Sequence, residues 1–437
     1  MANAANIGLY LNTPVLEDGP NGSAGTYIQS VCDYIFANYT GPGPIIFELG
    51  NENWNVSGNA NHIMQLLWPL YGFSSLQDYY AYRLHQYGTV IKSRFPAGWW
   101  NTKVFVMFAW QAAQTSGYTT ILQDYAAYGT PSSDLGYISC APYSNPPIVN
   151  TTDSVATILA DCLSDAQNLA RGSNAPLMEQ ISVIGLHYGL PHATYETGFQ
   201  WNAKSKAVVP NVPYTSYVNV GAAITDPGYT ACIEALHTSA LNSGIVLITH
   251  FEDGVSTGVA NNSPVCELGT TETGLESCPA MVGLKTFLPP NTFTVTRNDV
   301  TTPGTVIDGR NYTDSITTSS AFPTMGGGGS VNPSQAPYGG TAGRGTVAYL
   351  VHSAVARTVN LSVNFSGAGS THLEYGSAPA GFSILGGTSS PTVFIIPSGT
   401  NDVSVGRFPI VKGWNYVLLG VPGTAQSGVT INSLTFN

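Results

Sequence analysis

Charge is what this sequence lacks most. Only 9% of its 437 residues are charged, and 14 Lys+Arg against 25 Asp+Glu leave a net charge of −11. So few cations, in so acidic a chain, exclude a polyanionic partner such as a nucleic acid or an anionic membrane surface. No apolar run reaches the roughly 18–20 residues that cross a bilayer. Cysteine is scarce too, with six in the whole chain, too few for a disulfide scaffold. Cys266 and Cys278 bracket a Gly/Thr/Glu-rich stretch and suit one local disulfide, whereas Cys32, Cys140, Cys162 and Cys232 lie in apolar surroundings and read as small buried side chains. Neither CxxC nor His-x-Cys spacing occurs, so no zinc site is expected. The N-terminus, MANAANIGLYLN, has no charged leader region and no long apolar one.

What the chain does hold is 48 glycines, 28 prolines, 24 tyrosines and 43% hydrophobic residues. That is enough apolar material for a large core in two or three domains. The composition, poor in ions and rich in Gly, Ser, Thr, Asn and Tyr, is common in secreted proteins. It suits recognition of neutral, hydroxyl-rich ligands by aromatic faces and amides.

The texture of the sequence changes at Pro289-Pro290, which sets expected domains of 1–289 and 290–437. Before it, strand-like runs alternate with amphipathic stretches. Strands are expected at Ile7–Asn12, Pro44–Leu49, Val104–Trp110, Gly136–Ala141, His192–Tyr195 and Ile245–Phe251. Helices are expected at Thr26–Asn38, Leu76–Phe95, Thr120–Tyr128, from Asp153 or Ser154 to about Ala170, at Pro176–Gly189 and at Tyr229–Asn242. Alternation of this kind means parallel βαβ units. Without a Gly-rich phosphate loop, six such units favour an α/β barrel, TIM-like and incomplete, over a doubly wound sheet. After the boundary, short alternating strands separated by Gly, Pro, Asn and Ser predict an all-β sandwich or jelly roll of about eight strands. Gly326–Gly329 reads as a loop within it.

Barrel chemistry gathers at the C-terminal ends of the strands. Four glutamates fall there: Glu48, Glu52, Glu196 and Glu252. In Phe47-Glu48-Leu49-Gly50-Asn51-Glu52-Asn53-Trp54-Asn55, strand alternation turns Glu48, Gly50 and Glu52 to one side, with Glu52 at the top and Glu48 deep enough to be structural. Asn51 beside the acid can hydrogen-bond a sugar hydroxyl, and Trp54 can stack on a sugar ring. In Thr194-Tyr195-Glu196-Thr197-Gly198-Phe199-Gln200-Trp201, a short strand delivers Glu196 to a Gly-containing loop with Trp201 nearby. Glu252, in Thr249-His250-Phe251-Glu252-Asp253-Gly254, follows the last expected strand and can hydrogen-bond substrate or another acid. Two carboxylates at one barrel mouth are what glycoside hydrolysis requires, one protonated for the departing oxygen and one ionised.

At these residues the chain resembles the clan A glycoside hydrolases. FELGNENWN resembles the Asn-Glu acid/base motif closing their fourth strand, and YETG, 144 residues later, the nucleophile motif closing their seventh. The resemblance covers roughly residues 6–288 and implies a retaining glycosidase acting on a β-glycan of the 1,4-glucan, mannan or xylan type. It implies Glu52 as acid/base, Glu196 as nucleophile, Asn51 on the sugar 2-hydroxyl and Tyr143 hydrogen-bonded to the nucleophile. Trp110 is then a candidate aromatic for a further subsite, with a core role as the alternative. The clan's usual tryptophan at the end of strand eight is replaced here by His250-Phe251, which makes His250 a candidate substrate contact. The mechanism calls for no cofactor and no metal. The expected partner is a polysaccharide or oligosaccharide, and the expected location is extracellular. The alternative is a catalytically silent carbohydrate-binding protein. The chain also departs from the clan at its start: only Ile7–Asn12 precedes the strand of Glu52, so strands one and two have no room. Six units from strand three onward leave a gap, expected to be covered by a second copy of the chain or by rearranged loops. The final strands, KGWNYVLLGVPGTAQSGVTINSLTF, resemble the closing strands of jelly-roll carbohydrate-binding modules.

Overall fold

The computed structural model describes residues 3, 8–15, 26–56, 58–112, 114–144, 146, 153–167, 176–199, 218–249, 282–283, 298–309, 312–316, 324–325, 331–332, 345–367, 369–378, 392–396, 401–421 and 429–437. They divide into two compact units. The first comprises Met1–Ser139, Gln180–His192 and Arg297–Asn437, and the second Cys140–Glu179 and Ala193–Thr296.

Six strands form a parallel sheet in chain order: β1 (Leu9–Thr13), β2 (Ile45–Leu49), β3 (Val104–Ala109), β4 (Tyr137–Cys140), β5 (His192–Thr194) and β6 (Ile245–Leu247). The six expected units are therefore present as an α/β arrangement. Closure of the sheet into a barrel is not among the described pairings. β2 is buried along its whole length, as a strand covered on both faces must be. Its register places Asn12 beside Glu48 and Thr13 beside Leu49.

The helices are α1 (Thr26–Asn38), α2 (Asn59–Leu70), α3 (Leu76–Arg94), α4 (Thr115–Tyr125), α5 (Pro131–Asp134), α6 (Val155–Gln167), α7 (Pro176–Tyr188), α8 (Val218–Thr225) and α9 (Tyr229–Asn242). α3 shows why its sequence is helical. Ser75 caps it by accepting from Asp78 N at 3.1 Å, Asp78 lies in the first turn, and Lys92 and Arg94 lie in the last. Pro96 follows and stops it. Its buried face carries Tyr79, Tyr80, Arg83, Leu84 and Tyr87. Arg83 is 1% exposed. Its Nη2 donates to Val15 O at 3.0 Å and its Nη1 to Gln86 Oε1 at 3.0 Å, which ties the segment after β1 to this helix. At α6 the two rival caps separate: Ser154 Oγ accepts from Thr157 N at 3.1 Å, so Ser154 is the cap.

The C-terminal strands form two antiparallel sheets, as a sandwich requires. β7 (Thr305–Asp308), β9 (Thr324–Met325), β10 (Val331–Asn332), β12 (Arg357–Ser366), β15 (Asn401–Ile410) and β17 (Thr430–Phe436) make one sheet, ordered β15-β12-β17-β10-β9 with β7 also on β17. β8 (Asp314–Ile316), β11 (Gly345–Ser353), β13 (Gly369–Ser377), β14 (Thr392–Ile396) and β16 (Gly413–Val421) make the other, ordered β14-β13-β16-β11-β8. β12 alternates buried and less buried residues, and Val359, Leu361, Val363 and Phe365 enter a core shared with Val347, Tyr349, Val417 and Leu434. On the opposite face of the second sheet, Ala348, Leu350 and Leu418 pack with Val183 of α7, flanked by Trp414 and Tyr416. Trp414 stands edge-on to His187 and His352, which makes it a packing residue.

Cys32, Cys140, Cys162 and Cys232 are buried free thiols, as expected of core side chains. Burial pushes the Cys32 thiol up to about 12 and the Cys140 thiol well above its usual range. Cys266, Cys278 and Gly326–Gly329 lie outside the described residues.

Candidate active site

In the first unit, β2 ends at Leu49 and the pleat ends with it. Gly50 takes φ +72° and donates its N–H to Thr13 O at 2.7 Å. Glu52 then takes φ +49°, a left-handed conformation that non-glycine residues seldom adopt. Strand alternation, which aligned Glu52 with Glu48, does not hold here: two positive-φ residues within three positions break the period of two. Glu52 instead opens a turn in which Asn55 N donates to Glu52 O at 2.8 Å. The Asn55 side-chain Nδ2 donates to Glu52 Oε2 at 2.7 Å. Backbone in this region costs of order 1–2 kcal/mol per residue and persists where surrounding bonds dictate it. Those bonds are present, since Asn53 Nδ2 donates to Leu49 O at 2.5 Å and Asn61 Nδ2 to Asn53 O at 2.7 Å.

Glu48 is fully buried and accepts a hydrogen bond from Tyr10 Oη, the structural role expected of it. Burial, together with the charge of Glu48, pushes the Tyr80 phenol far above its ordinary range. Half-buried Glu52 borders a cleft of about 410 Å³ between the end of β1, the turn after β2 and the start of α2. Asn51 is exposed on its wall, and Trp54 is half-buried in the turn. Trp110 is 2% exposed and stacked on Tyr80 at 5.6 Å between ring centroids, so burial leaves it no free face and supports the core alternative.

In the second unit, Glu196 follows β5 and is half-buried. The segment after β4 and the segment after β5 are knitted together around it. Tyr195 N donates to Cys140 O at 3.1 Å, and Ser144 N to Gly198 O at 2.9 Å. Ser144 Oγ donates to Asp165 Oδ2 of α6 at 2.6 Å. Within this frame Tyr143 Oη donates to Glu196 Oε2 at 2.8 Å, which leaves Oε1 as the oxygen not engaged by the phenol. Thr249, after β6, donates its N–H to Thr194 Oγ1 at 2.8 Å and its hydroxyl to Thr194 O at 2.8 Å, fixing the end of β5 from its other side. Trp201, His250 and Glu252 lie outside the described residues.

Sequence reasoning missed Asn55, whose signal is its spacing of three from Glu52 across a turn. It also missed Asn12 and Asn59 on the cleft wall, which become neighbours of Glu52 only once β1, β2 and α2 are assembled. Among the described residues no group of His, Cys, Asp and Glu could hold a metal ion, and no helix is long and apolar enough to cross a membrane.

No family model matches this chain, and no curated protein matches it. Solved structures similar to it include a GH51 arabinofuranosidase from Xanthomonas axonopodis pv. citri, at 12% identity and TM-score 0.38, covering 94% of this chain and 75% of that one. A β-porphyranase of glycoside hydrolase family 86 from the gut bacterium Bacteroides plebeius is similar at 13% identity and TM-score 0.35, covering 96% and 64%. A GH26-CBM35 β-(1,4)-mannanase from Podospora anserina is similar over 31% of this chain and 27% of its own, at 16% identity and TM-score 0.21. The chain thus matches about a quarter of that mannanase's length and under two thirds of the porphyranase's. None of the three reaches a TM-score of 0.5, and none carries an argument about this chain.

Proposed function

We propose that the chain is a retaining β-glycosidase acting outside the cell on a β-glycan of the 1,4-glucan, mannan or xylan type. Glu196 is the nucleophile and Glu52 the acid/base. The observation that carries the reading is the Tyr143 hydroxyl on Glu196 Oε2 at 2.8 Å. A phenol donating to one oxygen of a strand-end carboxylate fixes its rotation, as an attacking carboxylate requires. The left-handed Glu52, held by Asn55 at the edge of a cleft, is the companion observation.

In the first step Glu196 attacks the anomeric carbon as Glu52 gives its proton to the departing glycosidic oxygen, leaving a covalent glycosyl-enzyme. In the second, Glu52 takes a proton from water as the water displaces Glu196 and restores the starting configuration. Asn51 supplies a neutral amide for a sugar hydroxyl beside the cleaved bond.

The test is a panel of aryl β-glycosides and soluble β-glycans, run on wild type, Glu52→Ala and Glu196→Ala. Turnover by wild type is expected, along with its loss in Glu196→Ala and rescue of that variant by azide to a glycosyl azide of inverted configuration. A wild type that binds glycans but turns none over, with both variants behaving alike, would overturn the enzyme reading in favour of a carbohydrate-binding protein.

A further inference from the structure

The asparagines around Glu52 fall into two sets. Asn53, Asn55 and Asn61 are spent inside the protein, on Leu49 O, Glu52 Oε2 and Asn53 O respectively. Asn12, Asn51 and Asn59 are exposed, line the 410 Å³ cleft, and have no side-chain hydrogen bond among the described residues. They come from three elements: Asn12 from β1, Asn51 from the turn after β2, and Asn59 from the first position of α2. Val15 and Ile63 add apolar surface, and among the described residues of the lining Glu52 is the one that ionises and none is Lys, Arg or His. A pocket of this size, apolar in part with a few convergent polar groups, has the make-up of a small-molecule site.

From this lining we infer that the cleft is the subsite for the leaving-group sugar, that it takes an uncharged, hydroxyl-rich unit, and that Asn12 and Asn59 are its specificity-determining residues. The inference rests on the glycosidase reading for the word "leaving-group", because the cleft adjoins the acid that would protonate the departing oxygen. Carboxamides both donate and accept, so they satisfy hydroxyls that serve as either partner. An anionic sugar would lose water on entering and find no cation among the described lining residues to pair with. Sugar hydroxyls bound by these amides leave unpaired groups when an amide is removed, a loss of about two- to tenfold in affinity for each.

The experiment uses the full chain as wild type, Asn12→Ala, Asn59→Ala and the double variant. For each protein kcat/KM is measured on nitrophenyl β-glycosides and on neutral cello-, manno- and xylo-oligosaccharides, and binding of the same oligosaccharides by calorimetry. The expected result is a fall of about two- to tenfold per amide on oligosaccharides, multiplying in the double variant, and a distinctly smaller fall on nitrophenyl glycosides, whose aglycone offers the amides no hydroxyls. Oligosaccharides carrying a uronic acid at the leaving end should be poorer substrates of wild type by about tenfold or more, and Asn59→Lys should narrow that gap. Equal losses on both substrate kinds, or no loss on oligosaccharides, would overturn the inference while leaving the glycosidase reading intact. A wild type without turnover that still binds neutral oligosaccharides through Asn12 and Asn59 would overturn the glycosidase reading and keep the sugar site. Neither turnover nor binding would overturn both.

Discussion

Gly50 is the residue on which the geometry of Glu52 turns, and replacing it with alanine gives a test with an internal control. Gly50 has φ +72°, where an L side chain costs about 1–2 kcal/mol. An added Cβ would also fall on the amide oxygen of Asn53 and within 2.8 Å of Val15 Cγ1. Both neighbours are buried, so neither can swing into solvent. Shifting Asn53 forfeits its hydrogen bond to Leu49 O, about 0.5–1.5 kcal/mol, and overpacking against Val15 adds about 1–3 kcal/mol. Gly50→Ala should therefore destabilise the protein by about 2.5–6.5 kcal/mol. Gly72, just past α2, shares the backbone conformation at φ +77°, but a Cβ there meets nothing within 4 Å. Gly72→Ala should lose only the conformational part, about 1 kcal/mol. Urea unfolding followed by near-ultraviolet circular dichroism measures both. A Gly50→Ala variant within about 0.5 kcal/mol of Gly72→Ala would refute the claim that packing, rather than backbone angle alone, demands glycine at this turn.

Other outcomes follow from single contacts. Burial, and then the neighbouring charge of Asp78, pushes the Asp124 carboxyl up to about 6. A raised folded value means the folded protein binds the proton more tightly, so stability falls as pH rises from about 4 to about 6. Asp124→Asn should accordingly be more stable than wild type at pH 7.5 and lose that advantage below pH 4, as read from urea midpoints across pH. Ser75→Ala should cost about 1 kcal/mol and Ser75→Gly only a few tenths, since Ser75 Oγ caps α3 on Asp78 N. No loss from Ser75→Ala would show that the cap bond is not what stabilises the helix start. Cys32 and Cys140 should resist thiol reagents in the native protein at pH 8.5 and react on unfolding, with labelling located by peptide mass spectrometry.

Where periodicity is strong, the chain could be read directly. Thr26–Asn38 and Tyr229–Asn242 have the expected bounds because three-to-four-residue apolar spacing runs through each. α2 was missed because NANHIMQLLWPL contains Pro69, which the helix tolerates at its penultimate position. β13, GSTHLEYGS, looks like a turn-rich loop. It becomes a strand through pairing with β14 and β16, a tertiary effect invisible to local pattern. In the candidate site, the placement of Glu196 at a strand end and its neighbour Tyr143 were both legible. The direction of Glu52 was not, because nothing in Gly-Asn-Glu announces a left-handed glutamate. That conformation is set by Asn53 and Asn55 through bonds within the turn, and by Asn61, whose contact exists only after α2 is brought against it.

The tie between Arg83 and Val15 bears on how anything could enter or leave the cleft. Segments that follow strands commonly open at a fraction of the free energy that unfolds a core. Here the carbonyl of Val15 is gripped by a guanidinium rooted in the buried face of α3, so this wall cannot swing out unless that helix yields as well. A lysine could not substitute for it, since one ammonium lacks the planar fork that spans Val15 O and Gln86 Oε1 together. The wall formed by Pro14 and Val15 is then a fixed jamb rather than a door. Across the cleft from it lies the side where Gly58 and Asn59 begin α2.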